Sequence, residues 1–298
     1  MGSLAELMQS YVDLKSLNDF DGVTSTSIRG VHFYRDSQGN TRQPLVYQSG
    51  IIAIGQGYKR IYLGDQSVRY GAGDYVVVGV PMPLECEAFP EDGLPIMGIS
   101  INVAPKTLHN LVNQLADQPL HQENEYSKSQ AALNLGLKSE CVNEALDECF
   151  KRLLLVLHDE VDSKVLGASI VEEIIYRVLM GKHGHVLFDL AKHDGHYARI
   201  AKVLDRLHAD YANQITVESL AEQANMSLSG FHRAFRQVTT ETPLQYLKKV
   251  RLNKAKELIV SEGKRASDAA ILVGYTSPSQ FSREFKRHFN ATPKSLAG

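Results

Sequence analysis

DAAILVGYTSPSQFSREFKRHFNATPKSL, residues 268–296, carries the reading of the last third of this 298-residue chain. Ala269, Ala270 and Val273 share one helical face, Gly274-Tyr275 make a turn, and Ser277-Pro278-Ser279-Gln280 open a second helix. A serine N-cap accepts from a free first-turn amide, proline suits the first helical position, and glutamine at N3 can close a capping box. Phe281, Phe285 and Phe289 recur at helical spacing and are expected to turn inward, leaving Gln280, Arg283 and Arg287 outward. A second copy lies at a constant offset of 50: Ala224 pairs with Gly274, Ser227 with Ser277, Phe231 with Phe281, Arg233 with Arg283, Phe235 with Phe285 and Pro243 with Pro293. That copy runs from the Val217, Leu220, Ala221, Ala224 face, through the turn Asn225-Met226, to Phe231, Phe235 and Val238.

Two copies are a duplicated helix-turn-helix rather than a solenoid, which needs three or more repeats to cover its faces. Between them Thr242-Pro243 opens a helix to about Val260, apolar at Leu247, Val250, Leu258 and Ile259 and basic at Lys248, Lys249, Arg251, Lys254 and Lys256. Such a strut, roughly 27 Å long, suits the ~34 Å between successive major grooves on one face of DNA. Charge agrees: residues 197–298 hold 16 of the 32 Lys+Arg but only 9 of the 34 Asp+Glu. A basic end on an acidic body marks a nucleic-acid module.

Residues 200–296 resemble the DNA-binding domain of the AraC/XylS family of regulators, through the glycine-aromatic turn, the Phe281-Ser282-Arg283-x-Phe285-Lys286 run and the closing Thr292-Pro293. Asp268-Ala269-Ala270-Ile271 departs mildly from that family's usual first helix. The resemblance implies base contacts from Ser229, His232, Arg233, Ser279, Gln280 and Arg283. Ser227, Arg236, Ser277, Ser282 and Lys286 are better placed for phosphates, which position a protein without specifying sequence.

The first two thirds differ in texture. Ile51–Ile54, Lys59–Leu63, Ser67–Tyr70 and Asp74–Gly79 read as short strands punctuated by glycines, which suggests a small sandwich or barrel. Helical patterns follow at Lys106–Ala116, at Val142–His158 and in the stretch SIVEEIIYRVLMGKHGHVLFDLA. This part resembles the N-terminal effector domain of one AraC-type subgroup, similar to a cupin barrel followed by helices, and implies small-molecule sensing and dimerisation. The fold class expected is α+β: a cupin-like barrel with helices, then an all-α domain of two tandem helix-turn-helix units. Its divisions fall at 1–184, a linker at 185–198, and 199–298.

An effector pocket would draw on Tyr47, Tyr58, Lys59, Tyr62, Tyr75, Met82 and Cys86, each of which could equally pack the barrel or decorate it. Redox sensing at Cys86 is opposed by Glu85 and Glu87, which disfavour a thiolate. The Ile51–Val103 stretch has no histidine for a cupin metal, and His183, His185, His193 and His196 read as solvated linker residues. No cofactor and no catalysis are therefore expected. Alternatives are a constitutive dimeric DNA-binding regulator and, behind it, a cupin-type enzyme carrying a DNA module. The expected partners are promoter DNA, RNA polymerase, a small-molecule effector and a second copy. The Val142, Leu146, Cys149, Leu153, Val156, Leu157 stripe would serve that second copy or cover the barrel. Three cysteines without a CxxC pair, no apolar run of membrane-spanning length and no secretory pattern at Met1–Asp21 point to the cytoplasm.

Overall fold

The computed structural model describes residues 2–63, 66–115, 137–182, 184–191 and 195–296. In the first part helix α1 (Leu4–Leu14) starts at a closed capping box: Ser3 Oγ accepts from the Glu6 amide, and the Ser3 amide donates to Glu6 Oε2. Ten strands follow: β1 (Gly22–Ser25), β2 (Val31–Asp36), β3 (Asn40–Tyr47), β4 (Gly50–Gln56), β5 (Tyr58–Leu63), β6 (Gln66–Gly71), β7 (Asp74–Val78), β8 (Met82–Phe89), β9 (Ile96–Ile101) and, after helix α2 (Pro105–Leu115), β10 (Leu137–Cys141). They make a six-stranded sheet, β1-β2-β9-β4-β7-β10, and a four-stranded one, β3-β8-β5-β6. The glycine-bounded runs 51–54, 59–63 and 67–70 lie within β4 to β6, and 74–79 overruns β7 by one residue, Gly79. A Cβ on Gly55 would stand 2.5 Å from Met8 Sδ, so a side chain there would displace Met8 where α1 lies on β4.

Helices α3 (Glu144–Val156) and α4 (Glu160–Leu179) pack on each other, and α3 also meets α1. The α3 stripe Leu146, Cys149, Leu153, Val156 and Leu157 is buried within this unit, so it covers its own fold. Glu173 of α4 ties the pair together by accepting from Arg152 and Arg177. The 185–198 stretch is not an open linker: helix α5 (His185–Ala191) occupies its first half, buries Val186, Leu187 and Ala191, and packs against α2 and α4.

Two compact units result. One takes the chain to Arg42, then Gln48–Gly79 and everything from Cys86 through α5; the other takes Gln43–Tyr47, Val80–Glu85 and everything from α6 onward. Beside those pieces of β3 and β8, the second unit holds α6 (His196–Ala209), α7 (Val217–Gln223), α8 (Leu228–Thr239), α9 (Pro243–Val260), α10 (Ala266–Leu272), α11 (Pro278–Phe289) and a closing 3-10 turn, Pro293–Leu296. Helix α9 serves both copies. Phe235 meets Tyr246 edge-on near its start at 5.6 Å, whereas Leu252, Ala255 and Ile259 join Ala269, Ala270, Val273, Phe281 and Phe285 in the second core. Its two halves thus bury different faces, so its sequence does not show a single stripe.

The offset between copies is not constant. Helices α7 and α10 correspond at 49 residues, α8 and α11 at 50. The left-handed turn residue is Asn225 (φ 51°) in one copy and Gly274 (φ 88°) in the other, so the second turn is one residue longer. At Gly274 a Cβ would also meet the Ala212 carbonyl oxygen at 2.4 Å, which fixes glycine there twice over.

Two predictions follow from this packing. Phe285 is fully buried between Phe281 (5.4 Å) and Phe289 (4.6 Å). Chemical denaturation of Phe285→Ala should show a loss of about 3–5 kcal/mol, against less than about 0.5 kcal/mol for exposed Ile271→Ala; similar losses would remove Phe285 from the core.

The second concerns His208 and His288, which burial holds neutral with pKa values pushed down to about 4. Lys254 adds to the shift at His208, and Lys249, Lys248 and Lys256 at His288; Tyr246 Oη stands 2.7 Å from His208 and Asn253 3.3 Å from His288. The unfolded chain binds protons from about pH 6.5 downward and the folded unit only near pH 4, so stability is full above the first value and drains toward the second. One such site loses at most about 2 kcal/mol by pH 5. The thermal midpoint should therefore fall from pH 7 to pH 5, and less steeply in His288→Gln; parallel curves would acquit the histidine.

Candidate nucleic-acid interface

Helices α8 and α11 begin and end alike. Ser227 Oγ accepts from the Gly230 amide at 3.2 Å, and Ser277 Oγ from the Gln280 amide at 3.3 Å, with Pro278 at the first position. Both close on left-handed residues, Thr240 (φ 63°) and Asn290 (φ 53°). Each buries a phenylalanine pair, Phe231/Phe235 and Phe281/Phe285, which removes those rings from any stacking role. The opposite faces are open to solvent: Ser229, His232, Arg233 and Arg236 on α8, and Ser279, Gln280, Ser282, Arg283 and Lys286 on α11. Among the described residues Arg233, Arg236, Arg283 and Lys286 have no ion-pair partner. Four cations without local counter-charges suit a polyanion.

The second copy adds a groove of about 520 Å³ whose lining includes Ser282, Arg283, Lys286 and Lys294. Lys294 escaped the sequence reading because it lies beyond the last helix, in the turn that folds back on α9 and α11. Gln280 does not complete the expected capping box. Its Nε2 donates instead to Glu284 Oε1 at 3.2 Å, while Tyr275 Oη donates to Glu284 Oε2 at 2.8 Å.

The basic residues of α9 are mostly engaged. Lys249 binds Glu241, Lys254 binds Glu257, and Arg251 donates to the Tyr211 and Asn213 carbonyls, pinning the loop after α6. These cations hold the unit together, a use their charge alone could not reveal.

In the first unit, alternation along β5 separates the proposed pocket residues. Lys59 and Ile61 are buried, while Tyr58 and Tyr62 lie on the other face, stacked on Phe89 at 4.6 Å and donating to Glu87 respectively. Lys59 Nζ sits 3.4 Å from the centre of the Tyr34 ring, with Cys86 and Asp36 as the neighbours whose electrostatics favour its ammonium form. Burial outweighs both and brings its pKa down to about 8. Among the described residues no carboxylate forms an ion pair with it. Cys86 is buried beside this lysine and donates to the Glu87 carbonyl at 3.3 Å. Tyr75 Oη is committed to Glu140 at 2.8 Å, while Tyr47 and Met82, also buried, belong to the second unit and not to this one. His183, His193 and the His185 side chain lie outside the described residues; among those described, no three His, Cys, Asp or Glu could hold a metal. No described helix is long and apolar enough to cross a membrane.

Comparison with known proteins agrees with this arrangement. The family described as AraC-type transcriptional regulator N-terminus matches residues 27–186, and a helix-turn-helix domain family matches residues 220–297. Over 98 residues the chain is 39% identical to the HTH-type transcriptional regulator AlkR of Acinetobacter baylyi, covering 33% of this chain and 32% of that one. Over 157 residues it is 27% identical to the HTH-type transcriptional activator RhaS of Citrobacter koseri, covering 52% and 55%. The chain thus spans about a third to a half of the length of these relatives. The fold is that of ToxT from Vibrio cholerae, solved with an unsaturated fatty acid bound, at a TM-score of 0.58, 12% identity and coverage of 90% and 94%. With both of its parts matched, and the N-terminal match alone covering more than half of its length, the chain belongs to the AraC-type transcriptional regulators.

Proposed function

We propose that this regulator is a cytoplasmic transcription activator that reads promoter DNA with α8 and α11 and answers to an anionic small molecule held by its N-terminal unit. The observation that carries the DNA reading is the pair of equally capped helices, each presenting two uncompensated cations beside short polar side chains. Ser229, His232 and Arg233 on one helix, and Ser279, Gln280 and Arg283 on the other, meet base edges. Arg236, Ser282 and Lys286 meet phosphates. Ser227 and Ser277 join them: as N-caps their hydroxyl oxygens accept from the helix, and each keeps an O–H as donor, that of Ser227 lying 3.5 Å from the Ser229 hydroxyl. Recruitment of RNA polymerase would make such a protein an activator, the role carried in the name of RhaS.

For the effector, the supporting observation is Lys59. Burial costs the Lys59 ammonium more than its neighbours Cys86 and Asp36 return, and an anionic ligand would offset the remainder. The fatty acid in ToxT fits the same class of ligand. For a homodimer, the exposed apolar residues Val161, Val165, Tyr176 and Met180 of α4 offer a face that α3 does not.

Operator binding at fixed salt tests the first claim. Arg233→Ala and Arg283→Ala should each cost about 1–3 kcal/mol and relax preference in different halves of the site; two variants that bind and discriminate like wild type would end it. Thermal shift tests the second. Medium-chain carboxylates should raise the midpoint of wild type, their alcohols should not, and Lys59→Met should abolish the effect. Equal shifts from acid and alcohol would refute an anion site at Lys59.

A further inference from the structure

The two copies share their caps, their phenylalanines and their left-handed stops, yet one polar assembly exists in only one of them. In the second copy Tyr275 Oη donates to Glu284 Oε2 at 2.8 Å, and Gln280 Nε2 donates to Glu284 Oε1 at 3.2 Å. With the 49-residue offset at the turn and 50 in the helix, the counterparts are Met226, Gly230 and Ala234. All three polar members are replaced by residues without a hydrogen-bonding side chain. The framework therefore folds without this assembly, and its presence in α11 calls for another reason.

We infer that Tyr275 and Glu284 are positioning residues that fix the Gln280 amide so that α11 selects adenine at one position of its half-site. This deepens the proposed reading and rests on α11 entering the major groove. Each carboxylate oxygen of Glu284 takes one donor, so Gln280 must turn its nitrogen toward Glu284; the reverse orientation would set its carbonyl against the carboxylate. Tyr275 is itself held, with its amide donating to the Ala270 carbonyl at 2.9 Å and its ring edge-on to Phe281 at 5.3 Å. The chain of restraint runs from the buried core through Tyr275 and Glu284 to Gln280.

What Gln280 then presents outward is one carbonyl acceptor and one remaining N–H. Adenine offers the complement in the major groove, an N6 amino donor beside the N7 acceptor, and makes two bonds. Guanine offers two acceptors, O6 and N7. Only one could be met, and the other would face the glutamine carbonyl. Cytosine supplies a single donor and thymine an acceptor with a methyl group. A free glutamine could rotate to suit another base at small cost, whereas a tethered one must first break its bond to Glu284.

The test is selection from a randomised double-stranded DNA library by the full-length protein, comparing wild type, Tyr275→Phe, Glu284→Ala, Gln280→Ala and Arg283→Ala. The expected result is an adenine at one position, within the half-site relaxed by Arg283→Ala. Tyr275→Phe, which keeps the ring against Phe281, and Glu284→Ala, which installs the residue of the other copy, should each lower adenine-over-guanine preference there at least about fivefold. Other positions should keep their preferences. Guanine at that position, unchanged preference in both relay variants, or uniform weakening across the site would overturn the inference while leaving α11 as a reader. If Arg283→Ala and Gln280→Ala also select the wild-type sequence, the reading beneath it falls as well.

Discussion

Two phenylalanine pairs, Phe231/Phe235 and Phe281/Phe285, are buried in the cores that α9 serves, and the orientation of α8 and α11 depends on them. A helix packed by two large rings one turn apart cannot roll without opening a void, and interiors at native density resist that strongly. Rotation fixed this way decides which residues face out. Arg233 and Arg283 occupy the same place on their helices because the rings beneath them do. The caps then fix where each helix begins, and the left-handed Thr240 and Asn290 where it stops. Within the C-terminal unit, chemistry on the surface is thus subordinate to packing underneath.

The same logic sorts the basic residues. Electrostatics alone makes every lysine and arginine of residues 197–298 a DNA contact, yet Lys249, Arg251 and Lys254 are engaged in ion pairs or carbonyl contacts. Arg251 satisfies two carbonyls of the loop between α6 and α7 that would otherwise need water. On the outward faces of α8 and α11, Arg233, Arg236, Arg283 and Lys286 stay outside such pairs among the described residues and concentrate positive charge where packing holds the surface open.

Much of this was legible in the sequence because the signals were local. The cap Ser277-Pro278, the repeat of phenylalanines and the glycine at 274 each act within one turn, and the helices of the second unit follow them closely. What escaped depends on alignment in space. A repeat read as a constant offset hides a one-residue difference in turn length, and so matches Tyr275 with Asn225 instead of Met226. Gln280 at N3 looked like half of a capping box because Glu284, one turn on, competes for the same amide only once the helix exists. In the strands, period-two alternation separates Lys59 from Tyr58 and Tyr62, a division implicit in the sequence once β5 was placed. The α3 stripe was ambiguous from sequence for a different reason: an amphipathic helix shows that a face is covered but not by what.

Duplication also frees one copy to diverge. A single helix-turn-helix that recruits a partner copy by two-fold symmetry reads the same half-site twice. Two copies in one chain carry no such constraint, and here they differ at the first turn of the outward helix: Gly230 and His232 in one, Gln280 and Ser282 in the other. Gly230 provides no side chain to reach a base edge, so the proposed contacts of that turn of α8 fall to Ser229, His232 and Arg233. In α11 the corresponding position carries an amide already committed on one side to Glu284. Under the proposed reading, equal scaffolds with unequal first turns favour an asymmetric site, one half met by side chains without such a tether and the other by a restrained amide. Restraint is then the physical basis of the proposed discrimination, since a donor that is already spent cannot be offered to the wrong base.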